Sequence, residues 1–119
     1  GWDLREWQRH LDALYGEQNR SRGIENILNR SFKEISELLS IAMQVASATS
    51  TRSLEEIEEE YALELSDALA WALATANHLG IDLEAAFLAR YGNGCRKCRQ
   101  NPCHCTNFAM QPHRWHELL

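Results

Sequence analysis

The fold of this chain is decided by residues 53–80, which read SLEEIEEEYALELSDALAWALATANHLG. Ser53 and Glu56 fit a capping box, in which each side chain satisfies a backbone donor at the start of a helix. Apolar residues then recur at helical intervals, and Gly80 is a typical residue for a helix end. The segment therefore predicts one long helix that ends near Leu79. The side chains expected to face inward are Leu54, Ile57, Tyr61, Leu65, Ala68, Ala72 and Ala76.

The remaining segments predict further helices and no strands. A long helix is expected over residues 24–48 and a short one over residues 83–91, because apolar residues repeat there at helical spacing. A first helix is expected over residues 3–15, with Gly16 at its end and a polar loop over 17–23. Trp7 and Tyr15 are expected in the core. The inward stripe of the second helix is expected to be Ile24, Ile27, Leu28, Ile35, Leu38, Leu39, Ala42 and Val45.

These elements predict an all-α protein built as an antiparallel helical bundle. The short connection between the two long helices favours antiparallel packing. Their apolar faces are so broad that a second copy is expected to cover them, giving a homodimer or a tetramer. We expect a helical catalytic domain over residues 1–92 and a small cysteine-rich extension over residues 93–119.

Two acidic pairs lie on the two long helices: Glu34 with Glu37, and Glu64 with Asp67. Residues three apart share one helix face, so each pair directs two carboxylates the same way. If the helices pack side by side, the carboxylates converge and repel one another unless cations lie between them; magnesium is the usual cation there. The pattern predicts a metal-dependent enzyme acting on phosphates. The alternative for either pair alone is a solvated helix face.

The chain resembles the all-α nucleoside triphosphate pyrophosphohydrolases of the MazG type over roughly residues 10–105. The resemblance rests on the E-x-x-E and E-x-x-D pairs, separated by 26 residues, and on ELSDALAWALATANHLGIDLE at 64–84. A third element is YGNGCRKC at 91–98 followed by PCHC at 102–105, which is similar to a cysteine-rich end found in a subset of MazG-like proteins.

This resemblance implies hydrolysis of a nucleotide between its α and β phosphates, giving a monophosphate and pyrophosphate in nucleotide-pool housekeeping. It also implies Mg²⁺ bound by Glu34, Glu37, Glu64 and Asp67. Glu37 and Glu34 are the candidate catalytic residues, with Glu37 as the acceptor of a proton from the attacking water. The related phosphoribosyl-ATP pyrophosphohydrolases are disfavoured by the N-terminal helix and the cysteine-rich tail.

Three side chains are candidates for binding the substrate. Trp71 lies one turn beyond Asp67 and could stack on a nucleobase, although a core tryptophan is an equal alternative. Arg30 and Arg90 could each contact phosphate oxygens through two nitrogens, as could Arg22, although each alone also fits a surface ion pair.

Cys95, Cys98, Cys103 and Cys105 are the four cysteines of the chain. Cys-x-x-Cys is a common half of a tetrahedral zinc site, so the tail predicts structural Zn²⁺, with His104, His113 and His116 as substitute ligands. Reactive free thiols and disulfides are the alternatives, the latter disfavoured by a reducing compartment.

The composition and the apolar pattern limit the partners and the cellular location that we expect for this chain. A net charge of −5 gives no general attraction for a nucleic-acid backbone, so no long nucleic acid is expected. No apolar run approaches the roughly 20 residues of a membrane span, and the first residues lack a signal-peptide pattern, so a cytoplasmic location is expected. The alternative to an enzyme is a helical module whose zinc tail contacts a protein or nucleic acid.

Overall fold

The computed structural model describes residues 1–47 and 52–106 of the chain. Four α-helices lie in this part: α1 (Leu4–Arg22), α2 (Ile24–Ala46), α3 (Leu54–Leu79) and α4 (Leu83–Tyr91). The same residues contain no β-strand, so the predicted all-α class is confirmed. None of the helices found there combines the length and the apolar character that crossing a membrane requires.

The chain forms two compact units, which divide between Leu83 and Glu84. The first unit contains α1, α2 and α3, and the second contains nearly all of α4 together with the cysteine segment. The sequence placed its boundary later, between residues 92 and 93, because the composition changes there.

The ends of α3 form as their sequence predicts. The Ser53 hydroxyl accepts a hydrogen bond from the Glu56 amide at 3.2 Å, which satisfies one of the free donors of the first turn. Gly80 has a φ of 68°, and its N–H donates to the carbonyls of Ala76 and Asn77. This left-handed conformation is one that glycine adopts without steric cost, and it stops the helix.

The first helix is longer than predicted, and the expected loop over residues 17–23 is wrong. Gly16 is buried inside α1 rather than at its end, and the helix continues to Arg22. Gly16 lies beside Ala74 and Asn77 of α3, so this glycine is at a contact between two helices and not at a chain reversal. The helix ends at Gly23, which has the positive φ of 81° that a helix stop favours.

The helices α2 and α3 pack side by side and run antiparallel. Arg30, near the start of α2, lies over the ring of Trp71 in the second half of α3. At the other end of α2, Gln44 accepts a hydrogen bond from Arg52, which lies two residues before the start of α3. Residue numbers rise along α2 as they fall along α3, as expected for helices joined by a short connection.

The first helix packs along the C-terminal half of α3. The side chain of Gln8 donates to the carbonyl of Ile81 at 2.7 Å, and Asn77 donates to the carbonyl of Gln8 at 3.0 Å. Because α2 covers the other half of α3, α1 and α2 lie end to end along α3, with the break at Gly23 between them. This break positions the site described below.

The core of the first unit is small, and it differs from the one predicted. Its buried apolar side chains are Ile27, Ile41, Ile57, Leu73, Ala74 and Ala76. Trp7 and Tyr15, expected in the core, are 47% and 50% exposed. The Trp7 ring instead packs edge-on against Trp2, with centroids 4.7 Å apart. Three helices in this arrangement leave α1 with only one packed side.

The predicted inward stripe of α2 is also wrong in part. Ile27 is fully buried, but Leu28, Ile35, Leu39 and Val45 are about half exposed or more. The outward side of α2 instead carries a stripe of apolar residues at intervals of three or four. We call this the outer α2 stripe, and its members are Leu28, Phe32, Ile35, Leu39 and Met43. Three of the residues expected inward on α3, Leu54, Leu65 and Ala72, are likewise exposed.

Candidate functional site

Three of the four predicted acidic ligands meet between α2 and α3. One carboxylate oxygen each from Glu34, Glu37 and Glu64 lies within 4.8 Å of the other two, and all three side chains are half-buried. The i, i+3 spacing places Glu34 and Glu37 on one face of α2, and the antiparallel packing brings Glu64 of α3 opposite them. We call this group the acidic cluster.

The acidic cluster lacks a positive or hydrogen-bond-donating partner for one of its oxygens. Glu64 Oε2 is buried and has no hydrogen-bond donor within the described part of the chain. The Glu64 carboxyl group can form hydrogen bonds with the carboxyl groups of Glu34 and Glu37, of which the one with Glu34 has the larger effect. Each such bond needs a proton that the two carboxyl groups share. This sharing, helped by burial and by the two like charges, raises the pKa of Glu64 to about 8. The three carboxylates are therefore close enough to share a proton, and they could hold a metal ion.

Asp67, the fourth predicted ligand, lies apart from this cluster. The group of residues within 4.8 Å of one another contains Glu34, Glu37 and Glu64 but not Asp67. Asp67 is exposed one turn along α3 and lines an adjoining cavity. Its role as a ligand stays a prediction.

Other charged residues around the acidic cluster are already paired. Lys33 Nζ lies 3.8 Å from Glu37 Oε1 one turn away on α2. Glu60, which precedes Glu64 by one turn, forms an ion pair with Arg52. Arg52 therefore neutralises Glu60, while Glu64 forms no ion pair with any residue that the structure describes.

A cavity of about 490 Å³ adjoins the acidic cluster at the break between α1 and α2. Its wall includes Asp67 and Trp71 from α3, Arg30 from α2, and Asn19 and Arg22 from α1. Asp67 is one turn from Glu64, and Arg30 is one turn from Glu34. The cavity and the acidic cluster therefore follow each other along the α2–α3 groove.

Two guanidinium groups flank Trp71 in this cavity. The Arg22 and Arg30 Cζ atoms lie 5.8 Å and 5.9 Å from the centre of the indole ring. Both distances are within the range of cation–π attraction. Trp71 is half-buried, so the ring is neither a fully packed core residue nor a free surface one.

Of the residues of α1 that line the cavity, the sequence singled out only Arg22 as a candidate for contacting substrate. Leu11, Tyr15, Gln18 and Arg22 all line the cavity and recur at helical spacing. That spacing could have revealed them, but the expectation of a loop after Gly16 divided the pattern. The last turns of α1 thus contribute one wall of the cavity.

Arg90, the remaining predicted substrate residue, lies in the second unit. Its Cζ atom is 5.9 Å from the ring centre of Tyr91, the residue that follows it. A role for Arg90 in substrate binding stays a prediction.

The four cysteines of the second unit form a compact cluster. Their sulfur atoms all lie within 4.8 Å of one another. Cys95 Sγ is 3.4 Å from Cys103 Sγ and 3.7 Å from Cys105 Sγ, and Cys98 Sγ is 3.8 Å from Cys103 Sγ. The thiols are free rather than joined in disulfides. Four cysteines this close could bind a metal such as zinc.

Hydrogen bonds lower the pKa of two of these thiols, and contacts with neighbouring sulfurs raise the pKa of a third. Backbone N–H donors, first that of Cys98 and then that of Lys97, lower the pKa of Cys95 to about 6. The N–H groups of His104 and Gln100 lower the pKa of Cys98 in the same way. Contacts with the Cys103 and Cys95 sulfurs, together with burial, raise the pKa of Cys105 to about 12.

His104, the substitute histidine ligand that lies in the described part of the chain, does not belong to this cluster. His104 approaches it through its backbone N–H, which donates to Cys98 Sγ at 3.3 Å. His113 and His116 lie outside the described residues. Among the described residues, the cluster therefore consists of four cysteine sulfurs and contains no histidine.

The chain was compared with protein-family models, with curated proteins and with solved structures, and none of the three comparisons gives a match. The resemblance to the MazG type therefore rests on the motif residues quoted above, and the function is inferred from the two clusters and the cavity.

Proposed function

We propose that this protein is a magnesium-dependent nucleotide pyrophosphohydrolase, which cleaves nucleoside triphosphates between the α and β phosphates. The observation that supports this most directly is the acidic cluster. Glu34, Glu37 and Glu64 converge from two helices, and the buried Oε2 of Glu64 has no donor among the described residues. Carboxylate oxygens are the ligands that Mg²⁺ uses in proteins, usually together with substrate phosphates and water.

The three glutamates would hold the cation, and Asp67 could complete the set from the adjoining turn of α3. Bound magnesium would neutralise phosphate charge and polarise the α phosphate toward attack by water. Glu37 is the proposed acceptor of the proton from that water. Positioning and charge neutralisation account for most catalysis in phosphoryl transfer, and groups on two packed helices suit that task.

The adjoining cavity would hold the nucleoside and part of the phosphate chain. Its volume of about 490 Å³ is in the range of small-molecule sites. Trp71 offers a flat surface for a base, and such stacking contributes about 1–3 kcal/mol. Arg22 and Arg30 would contact the phosphates, which lie between the base and the acidic cluster. Arg90 is proposed only from the sequence.

The outer α2 stripe supports the proposal that the protein forms a homodimer or a tetramer. Phe32 is 71% exposed and Met43 is 66% exposed in the single chain. Five large apolar side chains on one helix face are typical of a surface that another helix covers. A second copy of this chain is the proposed partner. The cytoplasm is proposed as the location because the substrate is found there.

The second candidate is a non-enzymatic helical module whose cysteine tail binds zinc and contacts a macromolecule. The cysteine cluster favours it, but that cluster is equally compatible with an enzyme. The acidic cluster distinguishes the two candidates, because a binding module has no need for three converging carboxylates with a buried oxygen that lacks a donor.

Pyrophosphate release from a panel of nucleoside and deoxynucleoside triphosphates with Mg²⁺ tests this proposal. The native chain is expected to release pyrophosphate and Glu64→Gln to release none, because the amide removes one charged ligand. Glu58→Gln is the matched control, since Glu58 is exposed on the same helix and should retain activity. Circular dichroism confirms that each variant is helical. No release from any nucleotide by the native chain would favour the binding module.

A further inference from the structure

The segment from residue 92 to residue 106 is folded without an apolar core. It reads GNGCRKCRQNPCHCT and contains no alanine, valine, leucine, isoleucine, methionine, phenylalanine, tyrosine or tryptophan. None of its residues is fully buried in the structure. A short segment without a hydrophobic core usually needs a disulfide or a metal to hold one conformation.

The backbone of this segment nevertheless makes a defined turn. The Cys95 N–H donates to the Gln100 carbonyl at 3.0 Å, and the Arg99 N–H donates to the Cys95 carbonyl at 2.8 Å. Gly94 has a φ of 104°, and a Cβ there would lie 2.9 Å from the carbonyl oxygens of Arg99 and Gln100. Glycine is therefore required on steric grounds, and the turn carries Cys95 and Cys98 toward the other two cysteines.

The sulfur positions fit a tetrahedral metal site. Zinc–sulfur bonds are about 2.3 Å long, so the sulfurs of a tetrahedral site are about 3.8 Å apart. The measured separations of 3.4, 3.7 and 3.8 Å are close to this value. They are far longer than the bond of about 2.05 Å in a disulfide.

Backbone amides are directed at the sulfurs. The Lys97 N–H donates to Cys95 Sγ at 3.4 Å, and the Cys105 N–H donates to Cys103 Sγ at 3.3 Å. Cys98 Sγ accepts from His104 in the same way. Such donors favour sulfur as the negatively charged thiolate, which is the form that binds metal.

From these observations we propose that Cys95, Cys98, Cys103 and Cys105 bind one Zn²⁺ ion, and that this ion holds the segment in its fold. Four thiolates are soft ligands, which suit zinc better than magnesium. They fill all four tetrahedral positions and leave none for water or substrate, so the ion is structural rather than catalytic. This site is separate from the acidic cluster, and the proposal goes beyond the proposed enzyme activity.

Charge and proton balance are consistent with this site. Zinc binding displaces the proton of each thiol that is still protonated, up to four in all, without oxidation or reduction. Four thiolates and Zn²⁺ together carry a charge of −2 by simple addition. Arg96, Lys97 and Arg99 lie in the same turn and offset that charge.

Metal titration of the full chain under reducing conditions tests the proposal. After removal of metal, the protein is expected to take up one zinc ion per chain. Co²⁺ is expected to give the strong thiolate charge-transfer absorption of a tetrahedral site. Cys98→Ser should lose stoichiometric uptake, whereas His104→Ala should keep it, because only the backbone of His104 contacts the cluster. Uptake that depends on His104 would overturn the assignment of four thiolates.

Trypsin provides a second measurement that does not depend on activity. The turn contains Arg96, Lys97 and Arg99, each of which is a cleavage site when the chain is accessible and flexible. Zinc is expected to protect these bonds in the native chain and in His104→Ala, but not in Cys98→Ser. Equal cleavage with and without zinc, or intact disulfides in the protein as purified, would overturn the proposal. Loss of pyrophosphate release alone would not contradict the zinc proposal, because the proposed activity belongs to the acidic cluster.

Discussion

The acidic cluster and the cysteine cluster both bring like-charged ligands together, but they differ in what holds them. The carboxylates are attached to α2 and α3, which pack through buried residues such as Ile27 and Leu73. The thiolates are attached to a turn that has no apolar core. A metal bound between α2 and α3 would join a fold that is stable without it, whereas a metal bound by the cysteines would be needed for their segment to fold.

Removing and restoring metals should separate the two clusters most strongly. A chelator is expected to abolish pyrophosphate release and the protection of the cysteine turn from trypsin, while the helical circular dichroism signal of α1 to α3 remains. Mg²⁺ alone should restore activity without protection, and Zn²⁺ alone should restore protection without activity. Loss of most of the helical signal on chelation would contradict the view that the acidic cluster has a metal-independent scaffold.

Shortening a core residue should affect only the first unit. Ile27 is 0% exposed, so Ile27→Ala should lower the free energy of unfolding by about 2–5 kcal/mol through lost burial and a cavity. Denaturant unfolding measures this, and zinc uptake by the cysteines should stay unchanged. Ile35→Ala on the outer α2 stripe is the control. Its effect should depend on protein concentration, because that side chain is proposed to be buried only by a second copy.

Removing the indole of the cavity should weaken substrate binding more than folding. Trp71→Ala is expected to raise the KM for the nucleotide by about 5- to 150-fold, equivalent to about 1–3 kcal/mol of stacking. Trp7→Ala is the matched control, because Trp7 packs on Trp2 outside the cavity. A larger loss of unfolding free energy than of substrate affinity would make Trp71 a structural residue.

The smallest expected effect is the pH dependence of the metal-free acidic cluster. The pKa of Glu64 is raised from 4.5 to about 8, so its contribution to stability is fully present below pH 4.5 and is lost as pH rises through about 8. The Tm of the metal-free native chain should therefore fall across pH 8, and that of Glu64→Gln should fall less. Equal slopes would show that no shared proton stabilises the cluster.

Local signals in the sequence predicted much of the fold. Ser53 and Gly80 set the ends of α3 because capping is a property of a few neighbouring residues. The spacing of Glu34 and Glu37 fixed their common face for the same reason. The cysteines could likewise be recognised from their spacing, since all four lie within one short segment.

The errors occur where packing between helices overrides a local signal. Gly16 resembles a helix end in the sequence, but it is buried where α1 approaches α3. Trp7 resembles a core residue, yet it is 47% exposed and packs edge-on against Trp2. Leu39 and Ile35 fit an inward stripe by spacing, but the rotation of α2 turns them outward and buries Ile41 instead.

The sequence by itself determined the helical class, the ends of α3 and the residues available for two candidate metal sites, because these depend on spacing along one chain segment. Only the tertiary structure decided that Glu64 joins Glu34 and Glu37 while Asp67 lines the cavity. It also decided that Arg22 belongs to α1 and lies beside Trp71. The physical reason is that the rotation and register of one helix against another are set by side-chain packing across the interface, which no single segment encodes.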